Sequence, residues 1–311
     1  MTPNLTTPNG DPISSFCFGT MQFGGNADKV ASQGMFDACV AAGINFFDTA
    51  YVYTDGRSEQ LLGGMLTGKS DRYFIATKCA STGGASREII LSQFDESRKR
   101  LRLDCVDLLY LHKWNTDASL HETFETLAGL IEQGKIRYIG VSNFAAWQVM
   151  KAETVAQTFG VEIAMLQPMY NLVKRQAEVE IFPMALSEGF AVCPYSPLGG
   201  GLLTGKYAAG QTGRLSSDKS YSKRYGQAWM HQVATELVSL AQETGIAAAT
   251  LAVAWVAQNP AVTAPIISAR SAEQLRPSLD AMGLMLDVSL KQKLSALAPT
   301  PAPATDRSDE V

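Results

Sequence analysis

The chain has 311 residues, a formal net charge of −4 at pH 7 and 46% hydrophobic residues. This length fits two ordinary domains or one large α/β barrel. Because the chain has no excess of basic residues, we do not expect nucleic acid as a partner. The first residues lack the basic and apolar parts of a signal peptide, and no apolar run approaches the roughly 18 residues that cross a membrane. We therefore expect a cytoplasmic protein with no membrane partner.

Short apolar runs alternate with longer amphipathic segments along the chain. The runs that predict strands are, in chain order, 17–21, 44–50, 73–78, 106–112, 136–143, 163–167, 190–196 and 262–268. Helical periodicity is clear between them, for example in residues 29–43, 86–103, 119–134 and 178–189. Strands that are apolar on both faces and alternate with helices indicate a parallel sheet, and eight repeats favour an α/β fold of the (β/α)8 TIM-barrel type over an open sheet.

The repeat lengthens once, between residues 196 and 268. About twice the usual length separates the last two predicted strands, and it includes the polar, Gly/Ser-rich segment 198–226. In a barrel, such an excess on one loop predicts a lid or a ligand-binding loop, which here would cover the cofactor. No linker divides the chain, so we expect one domain over residues 1–298, followed by a disordered, Pro-rich tail at 299–311.

Two Gly-rich segments are similar to phosphate-binding loops. Residues 63–70, GGMLTGKS, satisfy the pattern G-x-x-x-x-G-K-[ST], but they follow a helical pattern and precede a strand. Because a phosphate loop needs the opposite order, we predict that these glycines end a helix, with Gly68 as its C-terminal cap. The imperfect copy GGLLTGKY, at 200–207, follows a predicted strand, and we assign it to the pyrophosphate of a cofactor.

The cysteine and histidine residues form no recognisable metal or disulfide pattern. There are five cysteines and three histidines, and neither C-x-x-C nor H-E-x-x-H occurs. An odd number of cysteines, most of them in apolar segments, is typical of reduced core thiols. We expect no bound metal and reduced side chains at Cys17, Cys39, Cys79, Cys105 and Cys193.

Polar residues close seven of the predicted strands, where a parallel barrel carries its functional groups. They are Asp48, Lys78, His112, Ser142 with Asn143, Gln167, Tyr195 and Ser268. Three are ionisable and come from consecutive strands, and Tyr53 lies on the loop after the first. Lys78 could stabilise the phenolate of Tyr53, and His112 could donate to a substrate oxygen, so the group could protonate a carbonyl being reduced. The alternatives are that Tyr53 is only a packed loop aromatic and that Lys78 only forms a salt bridge within the barrel.

These residues also resemble a known family. The segments FFDTAYVYTDGRSEQLLG, FIATK, DLLYLH, IRYIGVSNF, YNLVKRQAE and YSPLGGGLLTGK occur in an order and spacing similar to those of the aldo-keto reductase superfamily, whose members are NAD(P)(H)-dependent (β/α)8 oxidoreductases. The resemblance covers roughly residues 13 to 285. It implies a catalytic tetrad of Asp48, Tyr53, Lys78 and His112, with Tyr53 as the general acid and base.

The resemblance also implies that the chain binds NADP(H). Ser142, Asn143 and Gln167 would hold the nicotinamide carboxamide, and Tyr195 would stack on the ring. Arg270 would favour the 2′-phosphate of NADP. The full set of implied cofactor contacts is Gly19, Thr20, Met21, Asp48, Ser142, Asn143, Gln167, Tyr195, Ser196, Pro197, Leu198, Gly200, Leu202, Lys206, Ser268, Arg270, Gln274 and Ser278. Two positions depart from the family pattern: Thr54 replaces a common glycine, and Ser278 replaces an asparagine that meets the adenine.

The expected reaction is the reversible reduction of an aldehyde or ketone by NADPH, with a small carbonyl compound as substrate. The expected substrate pocket contains Phe23, Tyr53, His112, Trp114 and Phe144. A second hypothesis is a regulatory subunit of an ion channel, in which cofactor binding matters more than turnover. A third is a lyase or aldolase that uses Lys78 in a Schiff base. This chemistry needs a lysine with a lowered pKa, whereas the nearby Asp48 would raise the pKa of Lys78.

Overall fold

The computed structural model describes residues 3–207, 210 and 212–305. Within this part of the chain eight parallel strands form one sheet, in the order β7-β6-β5-β4-β3-β2-β1-β8. The strands are β1 Cys17–Gly19, β2 Phe46–Asp48, β3 Phe74–Cys79, β4 Val106–Leu111, β5 Ile136–Ser142, β6 Ile163–Gln167, β7 Ala191–Val192 and β8 Ile266–Ile267.

The two end strands of this sheet approach each other. A parallel bridge joins Tyr195, just after β7, to Ile266 in β8, and the Ile266 amide donates to the Pro194 oxygen at 2.9 Å. The sheet is therefore curled as a (β/α)8 barrel requires. The predicted α/β class and its eight parallel strands are confirmed.

Helices follow the strands. They are α1 Lys29–Ala41, α2 Arg57–Leu66, α3 Arg87–Leu101, α4 Leu120–Glu132, α5 Ala146–Gln157, α6 Ile181–Glu188, α7 Arg214–Ser217, α8 Lys219–Tyr225, α9 Ala228–Thr244, α10 Ala248–Ala257, α11 Ala272–Asp280 and α12 Val288–Ala296. Several begin at a side-chain cap, as the sequence signals require. Asp28, Ser86 and Ser119, for example, accept from the third backbone amide beyond them.

The segment GGMLTGKS ends a helix, as predicted. Helix α2 stops at Leu66, but its C-cap residue is Thr67 and not the predicted Gly68. Gly68 follows in the turn with a φ of +76°, a left-handed conformation that glycine adopts at little cost. Gly63 and Gly64 lie inside the helix and not at its end. A Cβ on Gly63 would lie 2.5 Å from the backbone oxygen of Arg100, so this glycine allows α2 and α3 to pack closely.

The long connection between β7 and β8 contains a 3-10 turn at Gly199–Thr204 and the helices α7 to α10. Helix α8 packs on that turn: a Cβ on Gly200 would lie 2.6 Å from Cδ1 of Tyr221. The added length thus lies over the glycines that follow β7.

The core has two parts. Side chains inside the barrel include Cys17, Phe46, Phe74 and Tyr110, all fully buried, while a larger cluster fills the space between strands and helices. Residues 299–305 contain no helix or strand, and the rest of the predicted tail, 306–311, lies outside the described residues.

No single helix among the described residues has both the length and the apolar character needed to cross a membrane. Helices α9 and α10 reach that length and composition only as a pair, and their axes are bent by 100°. The same residues contain no cluster of three or more potential metal ligands. All five cysteines are free thiols, and only Cys105 is not fully buried.

Candidate active site

The carboxyl ends of β2, β3 and β4 bring Asp48, Lys78 and His112 together. Lys78 is buried in the barrel mouth, where its ammonium group forms an ion pair with Asp48. The same nitrogen donates to the backbone oxygen of Thr49 at 2.7 Å and lies 3.3 Å from the hydroxyl oxygen of Tyr53. One cation therefore connects the carboxylate of β2 to the phenol of the following loop.

The charges of this group depend on burial and on the ion pair. Burial disfavours the charged form of Lys78, but Asp48 and Tyr53 outweigh this effect and raise its pKa above the ordinary value. Burial raises the pKa of Asp48, and this shift is opposed by Lys78 and by a hydrogen bond from Gln167. A Schiff-base lysine needs the opposite shift, so the direction at Lys78 argues against that chemistry.

Burial and Lys78 shift the pKa of Tyr53 in opposite directions. Burial raises the pKa of its phenol, and Lys78, which lowers the pKa, does not compensate. Lys78 favours the phenolate, in the direction expected from the sequence, but desolvation of the phenol outweighs this effect in the free protein. At neutral pH the hydroxyl is protonated and can serve as a proton donor.

His112 meets Tyr53 edge to face, with ring centroids 5.9 Å apart and an interplanar angle of 81°. Burial and the charges of Lys78 and Lys113 lower its pKa to about 3. The imidazole is therefore neutral, and one ring nitrogen can donate a hydrogen bond. Nδ1 is buried and has no hydrogen-bond partner among the described residues.

The predicted carboxamide contacts also converge. Gln167 donates to the second oxygen of Asp48 at 2.9 Å, and the Ser142 hydroxyl donates to the Gln167 backbone oxygen at 3.0 Å. The Tyr195 hydroxyl donates to Oδ1 of Asn143 at 2.7 Å. Amide, hydroxyl and phenol groups thus lie beside the tetrad, and these groups can pair with a carboxamide.

The turn after β7 forms a cradle of glycines. Gly199, Gly200 and Gly201 have φ values of +56°, +66° and +94°, conformations that side chains other than glycine rarely adopt. A Cβ on Gly201 would lie 3.0 Å from Nζ of Lys206. A backbone without side chains and an adjacent ammonium group fit a phosphate, so the residues present suit the pyrophosphate of a dinucleotide.

A second cationic position lies at the N-terminus of α11. Arg270 is half-buried, and its side chain makes no hydrogen bond or ion pair with any residue that the structure describes. Its backbone amide donates to Gln274 at 2.8 Å, and Ser271 caps the helix. Ser268 is exposed nearby. A guanidinium that pairs with no described residue, beside a helix N-terminus, fits an added phosphate.

Other predicted contacts have little or no accessible surface. The buried ones are Gly19, Thr20, Phe23, Pro197, Leu202 and Ser278, while Met21, Ser196 and Leu198 are half-buried. The Thr20 hydroxyl pairs with Ser58 at 2.8 Å. Phe23 packs on Phe18 with centroids 5.6 Å apart and is 0% exposed. Phe23 belongs to the core, so its place in the expected substrate pocket is corrected.

An aromatic cluster extends from the barrel mouth to the surface. Trp114, two residues after His112, lies 5.2 Å from Phe144 and 5.6 Å from Trp147 between ring centroids. Trp147 is 61% exposed, which is unusual for so large an apolar side chain. A signal was available in the sequence, since Trp147 lies in the first turn of α5, soon after a strand that ends in site residues.

Two residues of α8 were also missed by sequence reasoning. Arg224 lies 5.1 Å from the Tyr221 ring centroid. Burial raises the pKa of Tyr195 to about 12, with Arg224 opposing and Tyr221 adding to the shift, so both residues act on the phenol beside Asn143. The alternation of tyrosines and basic residues in 219–225 was the available signal.

Comparisons with known proteins agree on one family. The model of the aldo/keto reductase family matches residues 15–297. An uncharacterised oxidoreductase of Bacillus subtilis (strain 168), YrpG, is 32% identical over 94% of this chain and 94% of its own length. A probable voltage-gated potassium channel subunit beta of Oryza sativa subsp. japonica is 31% identical over 89% and 90% of the two chains. The norsolorinic acid reductase stcV of Emericella nidulans is 30% identical over 89% and 76%.

Proposed function

Because the chain belongs to the aldo/keto reductase family of oxidoreductases, we propose that it reduces an aldehyde or ketone to an alcohol with NADPH, reversibly, in one barrel domain over residues 1–298. The observation that carries the proposal is the position of the Tyr53 hydroxyl. It lies 3.3 Å from the Lys78 ammonium group, and the Tyr53 ring meets the His112 ring edge to face. A proton donor, a cation and a neutral hydrogen-bond donor thus share one mouth of the barrel.

The reaction needs a proton for the substrate oxygen, and Tyr53 supplies it. An ordinary phenol already keeps its proton at neutral pH, and burial raises the pKa of Tyr53 further. As the proton leaves, Lys78 stabilises the phenolate, and Asp48 keeps the lysine charged and in place. The neutral imidazole of His112 donates to the substrate oxygen and orients it.

NADPH, when bound, supplies the hydride. Ser142, Asn143 and Gln167 would hold its carboxamide and so present one face of the ring to the substrate. The glycines of 199–201 and Lys206 would hold the pyrophosphate, and Arg270 would contact a 2′-phosphate. Tyr195 would lie against the ring, and its hydrogen bond to Asn143 would keep that side chain in position.

The substrate pocket would be formed by Tyr53, His112, Trp114 and Phe144. The aromatic side chains favour apolar or planar carbonyl compounds. A relative named as a norsolorinic acid reductase supports a role as a reductase.

The test is a screen of aldehydes and ketones with purified protein and NADPH, followed by loss of nicotinamide absorbance. We expect turnover of at least one class, with a rate that depends on enzyme concentration. Lys78→Met is the control, since it removes the cation and leaves Tyr53 in place. No turnover of any carbonyl by a protein that binds NADPH would overturn the proposal.

A channel-associated regulatory role is the alternative, and the similarity to a potassium channel subunit beta favours it. In that role the cofactor site would be occupied, but catalysis would be slow or absent. A protein that binds NADPH tightly, reduces no carbonyl and co-purifies with a channel would support this alternative. Turnover without such a partner would exclude it.

A further inference from the structure

A half-buried arginine of a neighbouring helix contacts the loop that carries Tyr53. Arg100 lies near the end of α3, with its side chain 15% exposed. Its Nη1 donates to the backbone oxygen of Tyr51 at 3.0 Å, and its guanidinium lies 4.7 Å from the Tyr51 ring centroid. A Cβ on Gly56 would lie 2.5 Å from Cζ of Arg100. Arg100 therefore packs against the loop both before and after Tyr53.

The same guanidinium is connected to the strand that carries Lys78. Glu59, which is fully buried, accepts from Arg100 Nη1 at 3.2 Å and from the Thr77 hydroxyl at 2.7 Å. Thr77 immediately precedes Lys78, and the amide of Tyr51 donates to the Lys78 backbone oxygen at 3.0 Å. The loop and β3 are thus held against each other by this ion pair and by backbone hydrogen bonds, which include one from the Thr49 amide to the Ala76 oxygen at 2.9 Å.

The loop has a conformation that needs such support. Thr54 and Asp55 have φ values of +49° and +55°, in the left-handed region that residues other than glycine avoid. The Thr54 hydroxyl donates to the Phe23 backbone oxygen at 2.7 Å and accepts from the Ser58 amide at 3.0 Å. Threonine stabilises this strained turn from one side, and Arg100 contacts it from the other.

We propose that Arg100, through its ion pair with Glu59, is a positioning residue for Tyr53. It holds the loop so that the phenol lies within hydrogen-bond distance of Lys78. Arg100 acts through the backbone of Tyr51 and Gly56 and not through contact with reacting atoms. The catalytic consequence rests on the proposed function, whereas the effect on the loop rests on the contacts alone.

The test compares Arg100→Met with a matched control, Arg175→Met. Arg175 is also half-buried, with 10% of its side chain exposed, and it forms an ion pair with Glu178 at 2.9 Å. It donates to a backbone oxygen at 3.0 Å and lies 5.5 Å from the Trp255 ring centroid. The control therefore loses the same kinds of interaction away from the tetrad.

Two measurements decide the proposal. Amide hydrogen exchange of residues 51–57 should be faster in Arg100→Met and unchanged in Arg175→Met. The kcat should fall by about 100-fold in Arg100→Met, because an angstrom-scale displacement of the proton donor carries such a cost, while NADPH affinity stays within about twofold. Arg100→Lys, which keeps the charge but not the planar fork, should recover part of the loss. In the Tyr53→Phe background, Arg100→Met should cause little further loss.

The results that would overturn the role of Arg100 differ from those that would overturn the proposed function. Unchanged exchange in residues 51–57 would overturn the proposal, whether or not the wild-type protein reduces a carbonyl. Faster exchange with an unchanged kcat, or a full additional loss in the Tyr53→Phe background, would overturn the positioning role. Absence of wild-type turnover would remove the proposed reaction, and exchange would still decide the claim about the loop. If Arg100→Met does not fold, Arg100→Lys and Thr77→Val provide the same comparison, since each weakens one contact of the ion pair.

Discussion

The phenolic oxygen of Tyr53 lies 3.3 Å from the ammonium nitrogen of Lys78, and the same nitrogen is bound by Asp48 and by the backbone of Thr49. Burial raises the pKa of Tyr53 while Lys78 lowers it. The pair therefore holds a proton in the absence of substrate and stabilises the anion left after its transfer.

Tyr53→Phe should abolish carbonyl reduction, with a loss of about 100-fold to 10,000-fold in kcat, because the general acid is removed. The ring remains, so NADPH binding should be nearly unchanged. Steady-state turnover and quenching of tryptophan fluorescence by NADPH measure the two effects. Turnover at the wild-type rate would remove Tyr53 from the mechanism.

Carbonyl reduction should depend little on pH between about 5 and 9. His112, with its pKa lowered to about 3, is neutral throughout this range and adds no inflection near its ordinary value. Tyr53, with its pKa raised, keeps its proton until the pH exceeds the ordinary phenol value. Alcohol oxidation, which needs the phenolate, should instead speed up as the pH rises. An inflection near pH 6.5 that His112→Gln removed would show that this imidazole titrates.

The fold and the tetrad follow from local sequence features. Each strand is a short apolar run, and its closing polar residue projects at the barrel mouth because parallel strands end on one side. That Asp48, Lys78 and His112 lie together could therefore be predicted from the sequence alone. The effect of burial on the pKa of Tyr53 could not be predicted from the sequence, since the desolvation of this phenol depends on the packing of distant segments.

Residues that act through long-range contacts were not predictable in the same way. Arg100 and Glu59 look like ordinary charged helix residues, and only the packing of α3 on α2 brings them to the loop of Tyr53. Phe23 looked accessible because it follows the first strand closely, but it packs on Phe18 instead. Sequence spacing gives the strand-end position of a residue and not the direction of its side chain.

Arg270→Ala should weaken NADPH binding by about 10-fold to 100-fold and NADH binding much less, because only NADPH carries the 2′-phosphate that a guanidinium would contact. Arg276→Ala, on the helix that Arg270 precedes, is the control, as Arg276 is 78% exposed and pairs with Asp280. Fluorescence titration with each cofactor measures the affinities. Equal losses for both cofactors would exclude a contact between Arg270 and the 2′-phosphate.

Trp114→Ala should raise KM for a bicyclic aromatic aldehyde by about 2-fold to 10-fold, the range expected from loss of one aromatic contact, and change KM for a short aliphatic aldehyde less. Trp147→Ala should also raise KM for the aromatic aldehyde more than KM for the aliphatic one, since its ring packs against the Trp114 ring. Trp229→Ala, on α9, serves as the control at a partly exposed tryptophan. If both aldehydes respond equally to Trp114→Ala, the aromatic cluster does not select planar substrates.

Gly63 and Gly64 should respond in opposite ways to alanine, although they are neighbours in α2. A Cβ on Gly63 would lie 2.5 Å from the Arg100 oxygen and 2.6 Å from the Leu101 oxygen, whereas nothing lies within 4 Å of a Cβ on Gly64. Gly63→Ala must push α2 away from α3, and we expect a loss of about 1–3 kcal/mol in the free energy of unfolding. Gly64→Ala should gain about 0.5–1 kcal/mol, because alanine favours an exposed helical position.

Urea unfolding of both variants provides the measurement. A lower midpoint for Gly63→Ala beside a higher one for Gly64→Ala would show that the first glycine of GGMLTGKS is required for the contact between two helices. ATP should bind to neither the wild type nor the variants at residues 63–70, since these residues end a helix and do not open one. Equal midpoints for the two variants would mean that α2 and α3 can separate at little cost, and the close approach at Gly63 would then not constrain the packing of α2 on α3.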